Sequence, residues 1–325
     1  MPRILLLLAA QAILPSGADG QSSRHIRTPD QVADSVAVAA LAHTLTSSAR
    51  TERDRAAALY EWVARHITYD IDAYLSEVES HETAEAVYRY RRALCGGYVS
   101  LYIRLAREAG LEAEAVAGYA KGFDYVFGQS TRRQNHSWVV VRVEGGWALV
   151  DPTWGAGAVS HGRFAPAFTW SWFMVPPEVL VLSHMPREAA WQLLPRPMPR
   201  SEFERLPAVP RALLEVGFQP SDIRRAAVVG RVRDFPLVAP QDASVQVVRA
   251  PIAGTLSTDA TVDVEVIWPG AVDVAVVSGG VWTHFARAGD RFHGRAAAAA
   301  DRIWVVGRTG PDPLSYRTLL HYRVE

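Results

Sequence analysis

The chain of 325 residues has a single cysteine. One thiol cannot close an internal disulfide, so the fold must be held by packing. Apolar runs of roughly 20 residues, the length that crosses a bilayer, are missing. An excess of one charge is missing too, since 34 basic residues balance 34 acidic ones. Without a basic stripe or tail there is no electrostatic footprint for nucleic acid or for an anionic membrane surface. Glu79-Ser80-His81-Glu82 is not the two-histidine helix of a zinc protease, and one cysteine cannot build a cysteine-rich zinc site. Gly155-Ala156-Gly157 is too short for a nucleotide fingerprint. No cofactor and no metal are therefore expected.

What is present starts with a leader. Arg3, the apolar stretch Ile4 to Leu14 and the small residues up to Ala18-Asp19-Gly20 read as a signal peptide over residues 1–20, with cleavage there or just after Ser16-Gly17-Ala18. This predicts a secreted or periplasmic mature chain without a membrane span. Cys95 in such a chain is a small buried hydrophobe, an intermolecular bridge or a reactive thiol. No residue pattern points to an oligomeric state.

Residues 28–160 have a helical first half. Thr51-Glu52-Arg53-Asp54 approximates a capping box, and Leu59, Trp62, Val63 and Ile67 follow at helical spacing. A second helical run covers Thr83 to Arg92. A third starts around Cys95, carries Val99, Tyr102, Ile103 and Ala106 on one face, and stops at Gly110. Strands then read over Leu111 to Tyr119, His136 to Val143 and Trp147 to Asp151, the last two joined through Glu144-Gly145-Gly146. Helices followed by an antiparallel sheet predict an α+β domain. Residues 161–227, rich in Pro and aromatics, are expected to pack on that domain as an extension, because Phe168, Trp170, Trp172 and Phe173 should not stay exposed. Residues 228–325 alternate in short strands: Val262, Val264, Val266 and Trp268, then Val272, Val274 and Val276, then Ile303 to Val306. Turn pairs such as Pro269-Gly270 and Gly279-Gly280 separate them, which predicts a small β-sandwich.

Cys95 falls at a predicted helix start, where unpaired N–H groups and the positive dipole end favour a thiolate. Gly96-Gly97 leave room for a carbonyl to approach, and the Cys95 N–H is a candidate oxyanion donor. A thiol nucleophile needs an imidazole as its base. His136 opens one strand and Asp151 closes the next. If Glu144-Gly145 form a two-residue turn, Trp138 faces Asp151 and His136 lies one same-face step further, roughly 7–8 Å away between Cα atoms. A three-residue turn without a bulge would put the two on opposite faces. Trp138, Trp147 and Trp154 read as core aromatics or as the wall of a groove.

Three segments carry a family resemblance: Leu94-Cys95-Gly96-Gly97-Tyr98, Asn135-His136-Ser137-Trp138, and Trp147 through Asp151-Pro152-Thr153-Trp154-Gly155. In them the chain resembles the transglutaminase-like superfamily and, within it, the kyphoscoliosis-peptidase-like group. Tyr60 to Asp70, and Phe173-Met174 through Ser183-His184-Met185-Pro186 to Leu194, are similar to the flanking segments of that group. The resemblance implies a papain/transglutaminase-like core with Cys95, His136 and Asp151 as the catalytic triad, acting on a protein or peptide substrate. Cys95 would take an acyl group from a peptide or glutamine amide as a thioester and pass it to water or an amine. Tyr69 or Gln134 is the candidate for a second oxyanion donor. The alternative is a non-catalytic protein-binding or scaffolding module of the same superfamily; retention of all three residues favours the enzyme.

Overall fold

The structure is a computed structural model that describes residues 28–128, 133–229, 232–239 and 245–325. The expected leader lies outside the described residues. Among those described, no helix is long and apolar enough to cross a membrane.

Apolar side chains at helical spacing build the first layer. Helix α1 spans Pro29–Thr46 and α2 spans Glu52–His66. The capping box is present: Asp54 N–H donates to Thr51 Oγ1, and Thr51 N–H donates to Asp54 Oδ2, both at 3.0 Å. Leu59, Tyr60 and Val63 are buried on the inner face of α2. A parallel ladder of β1 (Thr68–Tyr69) and β2 (Arg92–Ala93) sets the exit of α2 beside the entry to α5. Between them lie α3 (Ile71–Ser76) and α4 (Ala84–Tyr90). Helix α5, Cys95–Glu108, buries Tyr98, Leu101, Tyr102 and Leu105, and the chain turns at Gly110, whose φ is +72°.

Strands β3 (Ala113–Ala120), β4 (His136–Val143) and β5 (Gly146–Val150) form the antiparallel sheet on which α5 packs. Glu144 and Gly145 have φ of 52° and 83°, so they form the two-residue turn whose twist suits a hairpin. Val139 accordingly pairs with Val150 and Val143 with Gly146, the register that keeps His136 and Asp151 on one face. Beyond β5 come α6 (Pro152–Ala156) and a small hairpin, β6 (Gly157–Ser160) with β7 (Arg163–Pro166). Further along, β8 (His184–Pro186) returns to pair with β3, giving the order β5-β4-β3-β8. The close approach needs Gly118, where a Cβ would lie 2.3 Å from the Met185 carbonyl oxygen.

The segment expected to pack on the first domain is divided. Phe168, Trp172 and Phe173 pack against the core of α2 and α5. From Leu206 onward the side chains turn to the C-terminal unit: Leu213, Phe218, Ile223 and Ala227, on and around the helices Arg211–Glu215 and Pro220–Val228, share its core. Trp170, expected to be covered, is 47% exposed, with its ring edge-on to Phe168 and Phe173. Lys121, just after β3, is buried and donates to the carbonyls of Phe203 (2.8 Å) and Leu206 (2.6 Å), tying the sheet to the end of the short helix Arg200–Arg205.

The C-terminal unit is a sandwich. One sheet aligns the strands Gln246–Arg249, Thr261–Ile267, Arg291–Ala297 and Ala286–Ala288. The other is built on Arg317–Val324, Arg302–Arg308, Asp273–Ser278 and Val281–His284. Val262, Val264 and Val266 from the first meet Val274, Val276, Ile303 and Val305 from the second in one core. Trp268 and Val272 lie just outside the strands they were assigned to; Trp268 covers Gly307, where a Cβ would come within 2.4 Å of its ring.

The two glycines behind Cys95 have different duties. A Cβ on Gly97 would lie 2.3 Å from the His81 carbonyl oxygen and 2.5 Å from Ala93 Cβ, whereas nothing lies within 4 Å of one on Gly96. Gly97→Ala should therefore lose about 1–3 kcal/mol of stability through overpacking. Gly96→Ala should hold or gain up to about 1 kcal/mol; denaturant melts of the two variants check the contrast.

Candidate active site

Each member of the site sits at the end of a regular element. Cys95 is the first residue of α5, where Leu94 supplies no side-chain cap and the first N–H groups have no partner within the helix. His136 is the first residue of β4. Its backbone is pinned by Asn135, whose side-chain amide bonds both the N–H (2.7 Å) and the carbonyl (2.9 Å) of Ala120. Asp151 follows β5 and caps α6, its Oδ1 accepting the N–H groups of Thr153 (2.9 Å) and Trp154 (3.0 Å).

These ends converge. His136 Nε2 lies 2.7 Å from Asp151 Oδ2, and the ring is close enough to Cys95 for each to shift the other's ionisation, which leaves Nδ1 as the nitrogen for the thiol side. The Asp151 side chain is fully buried, that of His136 is 7% exposed, and Cys95 is partly exposed. The structure thus brings together all three residues singled out in the sequence.

A fourth residue joins them. His184, from β8, places its Nε2 3.1 Å from the same Oδ2 of Asp151, and its Nδ1 2.8 Å from Ser183 Oγ. His184 was visible only as part of a flanking motif, because the β3–β8 pairing that brings it to Asp151 leaves no spacing signal in the chain. Donor atoms of His136, Asp151 and His184 lie within 4.8 Å of one another, a spacing that a metal ion could also use. Here both imidazoles lie at hydrogen-bond distance from one carboxylate oxygen.

A cleft of about 340 Å³ opens beside His136, walled by Tyr69, Phe123, Trp154, Phe164 and Trp172. Tyr74 donates to Asp124 (2.6 Å) at its rim. The three tryptophans of the sequence reading separate. Trp138 is core, Trp147 stacks edge-on with Trp191, and Trp154 lines the cleft. Of the two candidate oxyanion donors, Tyr69 lines the cleft and Gln134 is exposed outside its lining.

Residues 39–152 match the family model of the transglutaminase-like superfamily. The chain carries a transglutaminase-like domain. Kyphoscoliosis peptidase of Mus musculus is 34% identical over 167 residues, 50% of this chain and 25% of that protein. The Homo sapiens protein of the same name is 35% identical over the same shares. The Caenorhabditis elegans protein named "Lim and transglutaminase domain protein ltd-1" is 30% identical over 183 residues, 52% of this chain and 25% of its own. Over these shares the domain is similar to kyphoscoliosis peptidase, and the chain spans about a quarter of the length of the curated relatives it matches. A crystal structure of a TGase overlaps 43% of this chain and 36% of its own, at 22% identity and a TM-score of 0.33.

Charge in the transglutaminase-like domain is distributed by these contacts. Burial acts against the His136 cation, but the Asp151 carboxylate outweighs it and pushes the imidazole up to about 10. Burial likewise acts to raise the Cys95 thiol, yet the neighbouring His136 brings it below its ordinary value. For Asp151, burial is overcome by His136 and then His184, which hold the carboxyl well below the usual carboxylate range. These contacts therefore favour a thiolate beside an imidazolium over the neutral pair. Iodoacetamide labelling of Cys95 should show its half-maximal rate below the roughly pH 8.5 of an unperturbed thiol. His136→Ala should move that midpoint upward, because burial is then left without its counterweight.

Proposed function

We propose that this chain is a secreted thiol acyl-transfer enzyme, a cysteine peptidase or transglutaminase-like acyltransferase. It forms a thioester on Cys95 from a peptide or glutamine amide and passes the acyl group to water or to an amine. The observation that carries the reading is the 2.7 Å bond from His136 to the buried Asp151, with Cys95 at a helix start next to that imidazole and the cleft opening beside His136. Export rests on the leader over Arg3 to Gly20.

The geometry supports each step. A Cys95 thiolate attacks the amide carbonyl, and the developing oxyanion faces the free N–H groups that open α5, where the helix dipole favours negative charge. His136 gives its Nδ1 proton to the departing amine, with Asp151 keeping the ring oriented through Nε2. In the second half the neutral imidazole takes a proton from the incoming water or amine, and the thioester breaks. The Tyr69 phenol supports the oxyanion as a donor. Burial and then the Cys95 charge push its ionisation well above the ordinary phenol range, so the O–H keeps its proton.

Two assays test this. Peptide hydrolysis and glutamine–amine transfer, measured with wild type and Cys95→Ala, should show turnover that is lost in the variant; equal traces for both would instead favour a scaffolding module. Tyr69→Phe should lower kcat by about 10²-fold with little change in KM, the signature of a lost oxyanion donor. An unchanged kcat removes Tyr69 from that role.

A further inference from the structure

We propose that His184 is a positioning residue: a neutral imidazole, locked by Ser183 in its Nε2–H tautomer, that donates to Asp151 and fixes the carboxylate that aims His136 at Cys95. The inference rests on the reading of Cys95 as nucleophile.

The argument begins with acceptor sites. An ionised carboxylate is acceptor-only and offers about four lone-pair positions. Asp151 uses all of them: Oδ1 takes the N–H groups of Thr153 and Trp154, and Oδ2 takes His136 and His184. The group is fully buried, so a missing donor would not be replaced by solvent. Without His184 the Oδ2 atom would be held by His136 alone, the residue it has to orient.

Chemistry then fixes the tautomer. Because Asp151 only accepts, the 3.1 Å contact requires a proton on His184 Nε2. Either Nδ1 is bare or the ring is cationic. Burial disfavours the cation and pulls the imidazole down to about 4, even against the attraction of Asp151. Nδ1 is then an acceptor, and the hydroxyl 2.8 Å away on Ser183 is its donor. Ser183 Oγ has a second acceptor, the Leu180 carbonyl, at a longer 3.3 Å. The titratable groups acting on His184 are Asp151 and His136, and those acting on Cys95 are His136, Tyr69 and Tyr74.

The surroundings hold the ring still. Trp154, Trp138 and Trp172 lie 4.3, 5.1 and 5.5 Å from it between centroids, the first two edge-on. Its backbone is set by the pairing of Ala120 with His184 and by the Lys121 N–H bond to the Ser183 carbonyl at 3.0 Å. A neutral, immobile donor suits a positioning role. It adds no net charge to the thiolate–imidazolium pair, and it occupies the lone pair through which Asp151 could otherwise rotate away.

The test uses the full-length protein with ¹⁵N-labelled histidine. His184 should appear by NMR as the neutral Nε2–H tautomer from pH 8 down to about 5, and Ser183→Ala should shift its Nδ1 resonance. Titration near an ordinary histidine value of about 6.5, or an Nδ1–H tautomer, overturns the proposal. In kinetics, His184→Leu should lower kcat about tenfold or more at unchanged KM. His184→Gln, which keeps an N–H donor, should recover most of that loss; equal losses in the two variants would show that only packing matters. Should His184→Leu fail to fold, the Ser183→Ala kcat decides: no loss there overturns the proposal. If Zn²⁺ raises the melting temperature of wild type but not of His184→Gln, His184 is a metal ligand and the positioning role falls. If no turnover depends on Cys95, the enzyme reading fails, while the tautomer result still judges His184.

Discussion

A buried carboxylate is the constraint around which the N-terminal half of this chain is arranged. Removing an ionised Asp from water costs several kcal/mol unless each of its lone pairs finds a donor. Asp151 has no exposed surface, and its four donors come from three separate parts of the chain: the opening of α6, the start of β4 and the edge strand β8. None of the three can shift without leaving a lone pair of that carboxylate without a donor. The site is therefore rigid for an electrostatic reason, and the positions of His136 and Cys95 follow from it.

The rigidity has a chemical consequence. Cys95 is the only thiol in the chain, and burial alone would keep it protonated and inert. Its thiolate is favoured because His136 is held as a cation, and His136 is a cation because Asp151 is held as an anion. Each link offsets a desolvation penalty with a neighbouring charge. The chain of compensation ends at neutral donors, the amides of α6 and the imidazole of His184, which stabilise Asp151 and need no further counter-charge.

Local rules were enough to read much of this from the sequence. The Glu144-Gly145 turn fixed the parity of β4 and β5, and with it the shared face of His136 and Asp151. The capping box at Thr51 and the α5 start at Cys95 followed from short-range hydrogen-bonding rules. What escaped depends on long-range pairing. His184 reaches Asp151 only because β8 docks on the free edge of β3, and edge docking has no periodic signature. The division of the extension at Leu206 is similar, since either core could have accepted its apolar side chains. Trp170 was misread for a related reason. An aromatic-rich run must cover its rings on average, but one ring can contact Phe168, Tyr60 and Phe173 and still stay half exposed.

Lys121 shows by contrast what Asp151 required. It too is buried, beside the same cleft, yet among the described residues it meets no carboxylate: two backbone carbonyls accept from it, and Phe203 and Tyr125 present their ring faces at 4.0 and 5.5 Å. Those partners do not offset desolvation, and burial pushes its ammonium down to about 7. The sign of the linkage follows. Between about pH 7 and the unfolded value near 10.4, the unfolded chain binds more protons at this site, so its contribution to stability rises with pH through that window. Asp151 has the same sign at the acid end, where its favourable contribution is lost as falling pH protonates it. One buried charge is kept because four donors surround it, and the other is weakened because carbonyls and rings are all it has. The difference locates the fixed charge of the fold at the end of β5, next to the thiol that needs it.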